Sequence, residues 1–223
     1  MAHLHISDER TPQLAVRHGN RLYQRIGKRL LDMVLVLALL PMSVLLICVL
    51  GLLVRRDGQN ALFAHTRVGR GGRTFRCWKL RTMVPDADAR LAHLLHSNET
   101  YAKEWAATQK LSDDPRITSL GRFLRRTSLD ELPQLWNVLV GDMSFVGPRP
   151  VTPEELSRYG AQASAYLSLK PGITGIWQLD GRQNGCYTER LRMDLSYVQT
   201  MSLGLDLRLI ARTSQVVFYP TGR

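Results

Sequence analysis

Met33-Val-Leu-Val-Leu-Ala-Leu-Leu-Pro41-Met-Ser43-Val-Leu-Leu-Ile-Cys48-Val-Leu-Gly-Leu-Leu-Val54 is a run of 22 residues without a charge. At about 1.5 Å per residue, a helix of that length reaches roughly 33 Å and clears a hydrocarbon core of ~30 Å. Mostly polar residues precede it, and no Ala-x-Ala-like site follows, so the run is expected to stay in the membrane rather than to be cleaved as a signal peptide. Its flanks are basic on both sides. Arg10, Arg17, Arg21, Arg25, Lys28 and Arg29 stand before it; Arg55, Arg56, Arg67, Arg70, Arg73 and Arg76 follow, with Asp57 opposed to them. Cytoplasmic flanks collect Lys and Arg, and a straight span would send one of these flanks outward. Pro41 removes a helix hydrogen bond near the middle, and the hydroxyl of Ser43 can satisfy a carbonyl freed there. A re-entrant helix broken near Pro41, with both ends in the cytoplasm, reconciles these features. A single span is the alternative.

The rest of the chain reads as an ordinary soluble domain. Hydrophobic residues make up 44% of the 223-residue chain, while 30 Lys and Arg against 19 Asp and Glu give a net charge of +11. That surplus calls for an anionic partner: nucleic acid, an acidic membrane surface or a phosphorylated substrate. Three cysteines without a Cys-x-x-Cys pair exclude a disulfide framework and a cysteine zinc site. Residues 1–22 lack apolar periodicity and read as a tail. Ala61–Met83, with Gly69, Gly71 and Gly72, predicts short strands and turns. Helices are expected over Asp86–Gln109, Ile117–Arg126, the apolar series Leu129, Leu132, Leu135, Trp136 and Leu139, and Glu154–Leu169. From Thr188 the pattern is helical again, and Leu205, Leu209 and Ile210 suit a helix lying apolar side down on a membrane.

Asp130 and Glu131 are adjacent acids just before an apolar helix. Two readings stand. Ser128 and Glu131 have the spacing of a capping box. Equally, a carboxylate at a helix N-terminus attracts phosphate and can attack it. Lys79-Leu-Arg81 sets two cations on one face of an extended segment. Gly147-Pro-Arg149-Pro150 fixes a guanidinium in a stiff backbone, and Gly181-Arg182 is a third site of the kind. The glycine-rich Gly69-Arg-Gly-Gly-Arg73 lacks the Lys-Ser/Thr ending of a P-loop.

Together these segments resemble the bacterial sugar transferase family, the small monotopic phosphoglycosyl transferases. The resemblance runs from about Tyr23 to Tyr219. It rests on Lys28-Arg29-Leu-Leu-Asp32, Lys79-Leu-Arg81-Thr-Met83 and Ser128-Leu-Asp130-Glu131-Leu-Pro133-Gln-Leu-Trp136-Asn-Val-Leu139. It continues through Gly141-Asp-Met-Ser-Phe-Val-Gly147-Pro-Arg149-Pro150, Lys170-Pro-Gly-Ile-Thr-Gly-Ile-Trp177-Gln178, Gly181-Arg182 and Asp194-Leu-Ser-Tyr197. The resemblance implies a mostly α fold with short β segments: a re-entrant anchor over 23–56, with Lys28, Arg29, Pro41 and Ser43 in the anchoring region, then a compact cytoplasmic α/β catalytic domain over 57–223 with interfacial amphipathic helices. It implies a ping-pong reaction in which Asp130, paired with Glu131, takes a sugar-1-phosphate from a UDP-sugar, releases UMP and passes the phosphosugar to polyprenyl (undecaprenyl) phosphate. Mg²⁺ at Asp130 and Glu131 is implied, as is binding of phosphate or nucleotide by Lys79, Arg81, Arg149, Arg182 and Asp194. Membrane lipids, a homodimer and downstream glycosyltransferases are the implied partners, at the inner bacterial membrane; nucleic acid is not among them, since only 7% of residues are aromatic and the tryptophans sit among apolar neighbours. Leu80, where an aromatic is common, and Gly185-Cys186 depart from the family pattern.

Overall fold

The computed structural model describes residues 22–57, 60–108, 111–181 and 187–218. The apolar run forms helix α1, Lys28–Val54, entered through a wide turn at Tyr23–Gly27. Helical backbone continues through Pro41, so the expected break there does not divide the element. Proline has a helix-compatible φ and forfeits one backbone bond. Here the residues around it, Leu40, Ser43 and Ile47, are held against the domain.

One stripe of α1 faces inward. Asp32, Val36, Ser43, Leu50 and Val54 are buried at helical spacing, while Leu30, Val34, Leu37, Met42, Leu45 and Leu52 are exposed. Only 17% of its most apolar stretch is buried, which separates it from the core helix of a soluble protein. The exposed side suits acyl chains. The inward stripe docks at both ends. Near the start, Asp32 accepts hydrogen bonds from Ser144 Oγ and Phe145 N, each at 2.9 Å. Near the end, Leu50 and Val54 pack with Leu80 and Leu124. A helix crossing a bilayer upright cannot keep both ends against one soluble body, so the helix lies along the domain.

After α1 come strands β1, Leu62–Val68, and β2, Thr74–Leu80, paired antiparallel from Leu62 opposite Leu80 to Val68 opposite Thr74. Gly71 and Gly72 turn the hairpin at φ 70° and 81°, where a Cβ is strained. The helix expected over Asp86–Gln109 is two: α2, Ala87–Ser97, and α3, Glu99–Thr108. Asn98 between them is extended, and its Oδ1 accepts from Thr100 N at 2.9 Å. That local cap outcompetes a continuous helix. Helix α4, Ser119–Thr127, is capped by Thr118 and ends on Ser128 in the left-handed region, φ 57°. A single 3₁₀ turn, Leu129–Glu131, leads into α5, Gln134–Val140, closed by Gly141.

Strand β3, Ser144–Val146, pairs in parallel with β4, Gly172–Thr174. Between them the helix expected over Glu154–Leu169 is divided into α6, Pro153–Ser157, and α7, Ala163–Leu167, by a turn with Gly160 at φ 51°. Helices α8, Tyr187–Thr200, and α9, Leu203–Phe218, complete the fold. The apolar face expected to lie on a membrane is instead core: Leu209 is buried, and Leu205 and Ile210 pack beside it. The reason is polar. Asp206, on the same face and fully buried, accepts hydrogen bonds from Lys28 Nζ at 2.7 Å and Tyr197 Oη at 2.7 Å, and from Tyr23 Oη. Those bonds pull α9 onto α1.

Both ends of α1 contact the same domain, and from that docking we expect them on one side of the bilayer. Cysteines introduced at Ile26 and Arg56 should react alike with a membrane-impermeant maleimide applied to intact cells, both shielded or both labelled. Labelling at one position alone overturns the same-side docking.

Candidate active site

The 3₁₀ turn between α4 and α5 presents the two adjacent acids. Ser128 makes the turn possible by taking the left-handed conformation, and its side chain gives no cap hydrogen bond to the turn. The carboxylate of Glu131 reaches Lys79 Nζ at 2.7 Å instead of closing a capping box. Lys79 arrives from the far end of β2 and stands 4.0 Å from Asp130 Oδ2, an ion pair too long for a hydrogen bond. One ammonium thus faces both acids.

The side chain of Asp130 is 9% exposed and that of Glu131 17%. Burial pushes the Asp130 carboxyl above its ordinary value; the Lys79 charge opposes that rise and Glu131 adds to it. Helix α5 begins at Gln134, a turn beyond Asp130. A helix dipole acts within its first turn, so Lys79 rather than the expected dipole offsets the charge on Asp130.

Around the acids lies an open cavity of about 540 Å³, bordered by Lys79, Arg81, Arg125, Arg149 and Trp177 as well as the acids themselves. The structure brings most of the expected site residues to this one place. Arg81 lines the cavity while its Nη2 donates to Val54 O at 3.1 Å and its Nε to Asn60 O at 2.8 Å. It joins the end of α1 to the site wall. Arg149 leaves β3 through the proline-flanked segment, with its guanidinium 5.3 Å from the Trp177 ring centroid. Arg125, which sequence reasoning passed over, enters from α4 with Nε donating to Thr82 Oγ1 at 2.9 Å. No spacing signal marks it among Arg122, Arg125 and Arg126.

Asp194 does not line the cavity. It is 3% exposed, accepts from Tyr159 Oη at 2.9 Å and from the backbone N of Arg149 at 3.4 Å, and lies 3.8 Å from Arg190 Nε. Burial pushes its carboxyl up to about 6. It supports Arg149 from behind instead of meeting a ligand in the cavity. Arg190 is the second residue missed: it shares Trp177 with Arg149, its guanidinium 5.3 Å from the same ring centroid. The i, i+4 spacing of Arg190 and Asp194 on α8 was the available signal. Arg182 lies outside the described residues.

No group of three His, Cys, Asp or Glu side chains gathers among the described residues. A divalent ion at the two acids would need its remaining ligands from water and phosphate, which is the habit of Mg²⁺ and fits an oxygen-only pair.

A model of the bacterial sugar transferase family matches residues 23–220. The chain belongs to the bacterial sugar transferase family. It is 44% identical over 198 residues to the exopolysaccharide production protein ExoY of Sinorhizobium fredii, covering 88% of each chain. It is likewise 44% identical over 198 residues to the undecaprenyl-phosphate galactose phosphotransferase of Salmonella typhimurium, with 89% of this chain matching 42% of that longer protein. The UDP-glucose:undecaprenyl-phosphate glucose-1-phosphate transferase of Caulobacter vibrioides is 37% identical over 215 residues, 91% of this chain and 75% of its own.

In this sugar transferase the acid at position 130 carries an energetic cost. A carboxyl whose value rises on folding destabilises the folded state wherever it is ionised in both states; the cost fades as pH falls from the folded value towards the unfolded one and is gone below it. Asp130→Asn should therefore melt at the same temperature as the parent or higher at pH 7. Any gain should shrink in acid. A lower melting temperature at pH 7, followed by circular dichroism in detergent, would show that the carboxylate is structural.

Proposed function

We propose that this enzyme transfers a sugar-1-phosphate from a UDP-sugar to undecaprenyl phosphate, an early membrane step of exopolysaccharide assembly. The observation that carries the reading is a desolvated Asp130 facing a basic cavity beside the end of an apolar helix. The names of the Salmonella and Caulobacter relatives supply the substrate classes. The basic flanks of α1 support a cytoplasmic position for the domain.

In the first half-reaction, a carboxylate oxygen of Asp130 attacks the phosphorus that bears the sugar. The bond from that phosphorus to the bridging oxygen breaks, and UMP leaves with the electron pair. Lys79 and Arg149 lie where that negative charge gathers. Burial keeps water from the carboxylate and leaves it poorly solvated, and hence reactive. In the second half-reaction, an oxygen of undecaprenyl phosphate attacks the same phosphorus, and Asp130 departs as carboxylate. Asp130 and Glu131 would hold Mg²⁺, which when bound neutralises diphosphate charge. The Lys79 ammonium holds the same Glu131 carboxylate, so a bound ion would have to share it with Lys79.

Incubation with a UDP-sugar alone should release UMP stoichiometric with enzyme and add one phosphosugar mass to the peptide containing Asp130. Asp130→Asn should lose activity by a factor of 10³ or more, about 4 kcal/mol of transition-state stabilisation, while remaining folded. UMP appearing only after lipid is added, with no adduct, would exclude the covalent step.

Metal dependence is tested apart. EDTA should abolish UMP release, and added Mg²⁺ should restore it. Undiminished turnover in chelator rules the ion out.

A further inference from the structure

A second basic cavity opens at the start of the membrane helix. It holds about 200 Å³ and is walled by Arg25, Lys28, Arg29, Asp32, Arg70 and Lys170, sharing no lining residue with the cavity at the acids. Arg70 lies in the hairpin turn and Lys79 near the far end of β2, a strand of seven residues. At about 3.3 Å per strand residue, the two cavities lie roughly 20 Å apart.

Two of the acids near this cavity are held by protein groups, while Asp142 adds its charge near Lys170. Asp206 pairs with Lys28 at 2.7 Å, and Asp32, 3% exposed, is held by Ser144 and the Phe145 amide. Arg29 donates to the neutral carbonyls of Val138 and Leu139, at 2.6 and 2.7 Å. Arg25, Arg70 and Lys170 form no ion pair among the described residues. Lys170 is not loose in solvent. The left-handed backbone at Gly141 packs against Lys170, so that a Cβ there would stand 3.2 Å from Nζ. Burial, then the charge of Arg29, push the Lys170 ammonium below its ordinary value. An anion in the cavity would relieve both.

Beside the cations the helix end is apolar and open: Leu22, Ile26 and Leu30 are 67%, 55% and 61% exposed. Cations gathered beside exposed aliphatic side chains, at the end of a helix suited to acyl chains, match a ligand with a charged head and greasy tails.

We propose that this cavity binds the phosphate head group of an anionic glycerophospholipid, whose acyl chains run along Leu22, Ile26 and Leu30. The lipid then bridges α1, the β1–β2 turn and the segment before β4, and fixes the depth and tilt of the enzyme on the bilayer. Free phosphate shares the head-group chemistry but has nothing to place on the apolar wall.

The test uses the full chain in zwitterionic detergent. Dioctanoyl phosphatidylglycerol, dioctanoyl phosphatidylcholine and inorganic phosphate are titrated in turn, with bound ligand counted by native mass spectrometry. Phosphatidylglycerol should bind with one-to-one stoichiometry, and phosphatidylcholine should not saturate. Arg25→Ala and Arg70→Ala, both at exposed positions, should each weaken it roughly fivefold, the worth of one basic side chain beside an anionic lipid. Arg70→Lys should restore most of the loss, and UMP release from UDP-sugar should stay at the parent level in all three. Equal binding of both lipids, or none lost in the alanine variants, overturns the proposal. Displacement of phosphatidylglycerol by millimolar inorganic phosphate would make it a free-anion site instead. A raised KM for polyprenyl phosphate, with phosphatidylglycerol binding unchanged, would assign the cavity to the acceptor.

Discussion

An apolar helix that carries a lysine and an aspartate on one face has to bring that face to partners, and the rest of this fold follows from that demand. Lys28 and Asp32 are one turn apart on α1. Lys28 finds Asp206 and Tyr197; Asp32 finds the start of β3. Removing one member of a buried ion pair costs about 3–5 kcal/mol, because the survivor stays charged without water. These bonds are therefore strong enough to decide where α1, α8 and α9 meet. Apolar packing alone could not do so, since the outer residues of α1 are as apolar as the inner ones and lipid satisfies them equally. Polar residues select the inward face.

That choice sets the site. With α1 laid along the domain, its C-terminal end meets β2 and α4 through Leu50, Val54, Leu80 and Leu124. Arg81 then caps the Val54 carbonyl from the cavity side. The acids at 130 and 131 occupy the turn that follows α4, so the apolar helix and the acid pair are joined through Arg81 and the Leu50–Leu124 cluster. Electrostatics there oppose stability: Asp130 is desolvated and set against Glu131, and Lys79 offsets this only in part. A strained left-handed Ser128 holds the turn in place. Costs of this kind cluster at functional positions.

Much of this was legible in the sequence because it was written in local patterns. The uncharged run named α1, Gly71 and Gly72 named the hairpin turn, and Gly141 named the end of α5. The ordered motifs named the family and brought Lys79, Asp130, Glu131 and Arg149 to one site. What was not legible depends on pairings far apart in the chain. Nothing near Lys28 says that its carboxylate is Asp206, so it read as a membrane flank. Leu205, Leu209 and Ile210 have the periodicity of an interfacial helix, and only the buried Asp206 among them turns that face into the core. Asn98 and Gly160 each divided a segment that periodicity read as one helix, because a short-range cap or a positive φ weighs more than an apolar stripe. Asp194 read as a ligand residue; Tyr159, 35 residues earlier in the chain, takes its carboxylate inward together with Arg190 on the same helix.

The charge surplus, uninformative as a sum, becomes informative once it is placed. Lys79, Arg81, Arg125 and Arg149 surround two acids, so their field is partly cancelled. Arg25, Arg70 and Lys170 surround acids already spoken for, so theirs is not. The first arrangement suits a substrate that must come and go, because the protein's own acids compete for the cations and lower the affinity of each encounter. The second suits a resident ligand, because Asp32 and Asp206 are held by other protein groups and compete less for the cations. A surface that merely repelled nucleases or favoured solubility would scatter its cations. Two basic cavities about one strand length apart, one facing a pair of acids and one beside acids held elsewhere, give part of the positive surplus a place in the fold.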